Sequence, residues 1–157
     1  MKTMDATRTE ASRAVIDLMS RPVVAVRADC GLSEALRLLV VHGLRHLAVV
    51  DGTGRCRGVL DDRAVAAAWA RDPLGLDRWH VADVLPAVGS VLDVGATVGD
   101  VARFMHHHRV DAVAVIGGHG QPIGMVTATD LINLLAAGPE QQQEHGQDTR
   151  TPRGEET

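Results

Sequence analysis

Residues 124–132 read GMVTATDLI, and residues 58–66 read GVLDDRAVA. The second stretch is a worn copy of the first, displaced by 66 positions (124 − 58). Thr127 is answered by Asp61, and Asp130 by Ala64. The same displacement superposes Asp17 on Asp83, Arg37 on Arg103, His42 on His108 and Ala48-Val49 on Ala114-Val115. It also superposes Gly52, Gly54 and Gly58 on Gly118, Gly120 and Gly124. No insertion is needed from about Val15 to Ala70. An internal repeat fixes architecture before any local pattern does. Here it predicts two half-domains related by a pseudo-twofold axis.

Each copy carries the same order of elements. VVAV (23–26) is a short β-rich run. Leu32, Ala35, Leu36, Leu39, Val40 and Gly43 then recur at helical spacing. HLAVVD (46–51), the turn GTGR and CRGVL (56–60) read as two strands around a tight connection, and a second helix follows over 62–70. The unit is strand–helix–strand–strand–helix, an α/β (α+β) pattern. In copy two, Thr97 and Asp100 have the spacing of a capping box. The expected boundaries are a flexible N-terminus (1–12), repeat 1 (13–71), a linker (72–79), repeat 2 (80–137) and a disordered tail (138–157). The tail is expected to stay unfolded because from residue 139 onward it holds no Val, Ile, Leu, Phe or Met. Trp69 and Trp79 flank the linker and are expected to pack the two copies together.

Composition narrows the function classes. The chain has 157 residues, 45% of them apolar but only 2% aromatic, so its core must be aliphatic. The net charge of −4 offers no basic excess for nucleic acid or an anionic membrane. The N-terminus has no apolar stretch of signal-peptide type, and no run is long enough to span a bilayer. A cytoplasmic location is expected. Cys30 and Cys56 suit a reducing compartment and form no C-x-x-C pair. No nucleophile–base constellation or P-loop is present, so catalysis is not expected. His106-His107-His108 does not read as a metal site, because adjacent helical residues point about 100° apart.

The ordered pattern resembles a tandem pair of cystathionine-beta-synthase-type (CBS) domains, a Bateman module. The residues carrying the likeness are AVIDLMSRPVVAV and HGLRHLAVVDGTGRCRGVL in copy one, and HVADVLPAVGSVL and HRVDAVAVIGGHGQPIGMVTATDL in copy two. The likeness spans about residues 13–137. It implies a compact regulatory module with two clefts, a homodimer, and an adenosine-containing ligand such as AMP, ADP, ATP or S-adenosylmethionine. It also implies that the matching Thr contacts the nucleotide and the matching Asp holds the ribose hydroxyls, and that the two repeats share each cleft. Thr127, Thr129 and Asp130 would then face Val24, Leu44, Arg45 and His46. The other cleft would set Asp61, Asp62 and Ala64 against Asp111, a collection of acids with no ribose ligand.

Two readings of GMVTATDLI stand, and they are compatible. Thr127 and Asp130 can simply cap a helix, or they can also bind nucleotide at its N-terminus. The functional expectation is a nucleotide-sensing regulator with one ligand cleft, acting on an unknown effector protein. The alternative is a ligand-free dimerisation scaffold.

Overall fold

A computed structural model describes residues 2–138. The expected tail, apart from Gly138, lies outside the described residues. Two three-stranded sheets form the centre. In the first, β1 (Ala25–Arg27) runs parallel to β2 (His46–Val50), which pairs antiparallel with β3 (Cys56–Asp61). In the second, β4 (Val91–Asp93), β5 (Ala112–Ile116) and β6 (Pro122–Thr127) repeat that order and those directions. The register even breaks at matching places, after Val49 and after Val115. Helices α2 (Leu32–Val41) and α3 (Asp62–Arg71) belong to the first half, α5 (Val98–His108) and α6 (Ala128–Ala137) to the second. The expected strand–helix–strand–strand–helix unit is thus found twice.

Helices α3 and α5 begin where side chains replace missing backbone acceptors. At α5, Thr97 Oγ1 accepts the Asp100 N–H (3.2 Å) while the Asp100 carboxylate accepts the Thr97 N–H (2.8 Å). At α3, Asp61 accepts the Ala64 N–H at 2.7 Å. The α2 stripe is only partly inward. Leu32, Ala35 and Leu39 are buried, but Val40 is 72% exposed and Leu36 sits at the surface.

The halves trade their opening segments. Val15 and Met19, which begin repeat 1, are buried in the second core beside Val101, Val113, Val115 and Val126. Val81, which begins repeat 2 in the short helix α4 (Val81–Val84), is buried in the first core beside Leu32, Leu47, Val49 and Leu60. Backbone bridges fix the exchange: Ala14 pairs with Thr97, and the equivalent His80 pairs with Gly31. Ser20 adds a pair of hydrogen bonds to Met125 on β6, 2.8 and 3.1 Å long.

Two expectations need correction. The N-terminus, expected to be flexible, contains helix α1 (Lys2–Ala11). Gly99 permits this: a Cβ there would lie 2.9 Å from the Ala11 carbonyl, so only glycine lets the end of α1 rest on α5. The tryptophans do not join the copies. Trp69 is 54% exposed, and Trp79 packs on the first core alone.

Candidate functional site

The last strand of each half runs straight into a helix, and the turn between them faces the opposite half. On β6 and α6 this turn is Thr127 to Asp130. Across from it stand Val24, just before β1, and Leu44, Arg45 and His46 at the start of β2. All eight line one cavity of about 330 Å³. Pockets for small organic ligands span roughly 300–1,000 Å³. Ser20, Pro22, Gly43 and Met125 complete the wall. Ser20 is there because the exchanged opening segment pairs with β6, a contact between distant residues that no local motif reports.

The polar groups divide between structure and open valence. Asp130 Oδ2 accepts the Thr127 N–H (2.8 Å) and the Thr127 hydroxyl (3.2 Å). The helix start is therefore braced, and the Thr127 hydroxyl proton is occupied. Asp130 Oδ1 and the Thr129 hydroxyl have no hydrogen-bond partner among the described residues. A carboxylate oxygen accepts from a diol, and a hydroxyl donates or accepts. The Ala128 N–H is taken by the Asp111 carbonyl at 2.8 Å. Arg45 Nε lies 3.3 Å from Asp62 Oδ2, an exposed ion pair.

Asp111 departs from expectation. It lines this cavity as well as the other one, and so does His46. His46 Nε2 lies 3.0 Å from Asp111 Oδ1, and Arg63 bonds Oδ2. Burial pushes the Asp111 carboxyl up, but the bonds and charges of His46 and Arg63 outweigh it and hold the group below its ordinary range. The displacement that pairs Asp111 with Arg45 was the available signal, since both residues precede the central strand of their sheet at the pseudo-twofold axis.

The equivalent cavity, about 270 Å³, is lined by Asp61, Ala64 and Asp111 but also by Arg63. The expected collection of acids is therefore corrected. Asp62 is turned to Arg45 instead, Asp61 is spent capping α3, and Arg63 offsets Asp111. Ala64 lines this cavity where Asp130 lines the first.

Other chemistry is sparse among the described residues. No group of three His, Cys, Asp or Glu side chains could hold a metal ion. His108 stacks on Phe104 (4.3 Å between ring centres) and meets His107 edge-on. Cys30 and Cys56 are unpaired, and burial pushes both thiols above their ordinary pKa, so neither is an activated thiolate. No described helix is long and apolar enough to cross a membrane.

Comparison with known proteins agrees with this fold. The sequence matches the CBS domain twice, over residues 15–71 and 82–137. It is 29% identical to a CBS domain-containing protein of Dictyostelium discoideum, covering 77% of this chain and 90% of that one. It is 25% identical to L-aspartate semialdehyde sulfurtransferase of Methanocaldococcus jannaschii, covering 77% of this chain but only 23% of that enzyme. Among solved structures, the fold is similar to the CBS domain pair of protein MJ0100, determined with 5′-methylthioadenosine and S-adenosylmethionine (TM-score 0.69, 23% identity, 78% of this chain and 98% of that one). It is also similar to Hypoxic Response Protein I, determined with two coordinated zinc ions (TM-score 0.67, 24% identity, 76% and 97%). Two matches to one domain, two sheets of one topology and two clefts across one axis make this chain a member of the CBS domain family, built as a tandem pair.

Proposed function

We propose that this CBS pair binds an adenosine-containing ligand in the Thr127–Asp130 cleft and passes its occupancy to a partner protein, without catalysis of its own. The observation carrying this reading is the convergence of Val24, Leu44, Arg45 and His46 from one half with Thr127, Thr129 and Asp130 from the other on one cavity. A carboxylate oxygen and a hydroxyl there have no partner among the described residues. The ligands held by the MJ0100 pair support the adenosine class. The equivalent cleft, with Ala64 where Asp130 would stand, is the non-binding one.

A ligand touching both halves favours the arrangement in which they are closed on it, and that differential affinity is what a partner can read. The apolar residues left outward on the helices, Leu36 and Val40 on α2, Trp69 on α3, and Ile132 and Leu135 on α6, fit a homodimer built through helix faces. Those same faces favour the second reading, a scaffold that dimerises without ligand.

Thermal unfolding against adenosine, 5′-methylthioadenosine, S-adenosylmethionine, AMP, ADP and ATP tests the proposal. A ligand at 100 times its dissociation constant adds about 2.7 kcal/mol. The shift should vanish in Asp130→Ala. No shift with any of the six would favour the scaffold.

A further inference from the structure

The charges around the cleft narrow the class of ligand, granted the binding mode above. A phosphate would be drawn to the N-terminus of α6, where amides lack intrahelical acceptors. Amides of that end are already taken, the Thr127 amide by the Asp130 carboxylate. The Asp111 carbonyl holds the first amide of α6, and its carboxylate lines the same cavity, with Asp130 one turn away. Among the described residues the guanidinium that lines the cleft is that of Arg45, and Asp62 lies against it. His46 is bonded to Asp111. Arg63 is bonded to Asp111 too, on the side of the other cavity. Arg21 sits between the lining residues Ser20 and Pro22 without lining the cleft itself. Three carboxylates (Asp62, Asp111, Asp130) therefore meet two guanidiniums (Arg45, Arg63), and neither guanidinium is free of an acid.

The equivalent position in repeat 1 makes the contrast plain. There the carbonyl receiving the first amide of α3 belongs to Arg45. The Arg45 guanidinium, although it also lines the α6 cleft, is held by Asp62 at the start of α3, whereas at the start of α6 Asp111 presents a carboxylate. The helix flanked by the carboxylate is the one whose first turn carries the groups suited to a ribose.

We propose that the cleft selects an adenosine derivative with an uncharged or cationic substituent over a nucleoside polyphosphate, and that two acids disfavour the phosphates by occupying the cations, Asp62 by holding Arg45 and Asp111 by holding His46 and Arg63. A unit charge brought within about 7 Å of a carboxylate shifts affinity by roughly threefold at the dielectric constant of water and by up to about fiftyfold at an effective value of about 20.

Calorimetric titration of the full chain with adenosine, S-adenosylmethionine, AMP, ADP and ATP tests this. Affinity should fall from adenosine through AMP to ATP, by about tenfold or more overall, and the gap should narrow at high salt. Asp111→Asn should raise AMP affinity relative to adenosine by roughly five- to tenfold. Asp62→Asn, which frees Arg45, should act in the same direction and does not depend on Asp111→Asn folding. ATP binding as tightly as adenosine, or an AMP-to-adenosine ratio unmoved by both variants, overturns the preference while leaving the adenosine cleft intact. Binding of none of the five overturns the cleft itself, and the preference with it.

Discussion

Val15 and Val81 occupy equivalent positions, both are fully buried, and each lies in the core of the half it does not belong to by sequence. Substituting either by alanine removes two methyl groups. At about 0.8 kcal/mol per group the lost transfer energy is about 1.6 kcal/mol. An unfilled cavity of about 50 Å³ adds about 1 kcal/mol at ~24 cal/mol per Å³. The expected loss is about 2–3 kcal/mol for each, read by urea unfolding. Native-state hydrogen exchange then locates it, because local openings report the weakened unit. Val15→Ala should loosen the amides of Val113, Val115 and Val126. Val81→Ala should loosen those of Leu47, Val49 and Leu60. If each substitution loosened its own repeat instead, or cost under about 1 kcal/mol, the exchange of opening segments would be refuted.

Three further outcomes follow from local geometry. A Cβ on Gly89 would lie 2.2 Å from the Arg57 carbonyl oxygen, so Gly89→Ala must displace backbone and should cost about 1–3 kcal/mol or more in denaturant unfolding. Arg109 ends α5 at φ 54°, in the left-handed region that its equivalent Gly43 occupies at φ 61°. Arg109→Gly should therefore stabilise the fold by about 1 kcal/mol, and a lower melting temperature would contradict this. Asp51 accepts from the Thr53 hydroxyl (2.6 Å) and amide (2.8 Å), which hold its pKa at about 2. A depressed carboxyl stabilises above its unfolded pKa of about 3.9, and that stability is lost as pH falls toward the folded value. Carboxyl NMR should show the Asp51 midpoint rising toward the ordinary range in Thr53→Ala.

The repeat made most of this fold legible. One displacement predicted two sheets of one topology, and hydrophobic spacing marked the inward residues Leu32, Ala35 and Leu39. It could not say that Leu36 and Val40 on the same stripe face outward, because periodicity reports an apolar arc and not how much of it a neighbour covers. The Thr127–Asp130 turn was legible because capping chemistry is local. The role of Asp111 was not, because its position depends on how two half-domains meet at their axis. A one-residue difference there, Arg45 against Asp111, changes which cleft wall carries which charge. Helix α1 was missed for a related reason. Its rest against α5 depends on a glycine nearly ninety residues away in sequence.

The traded opening segments decide what a fragment of this chain could be. Severing the chain between Asp72 and Trp79 would leave one piece without Val81 to close its interior and the other without Val15 and Met19. Neither piece is a freestanding domain. Mixed together, they should complement one another, each supplying the plug that the other lacks. A piece kept alone could close its interior only by borrowing an opener from a second molecule of itself.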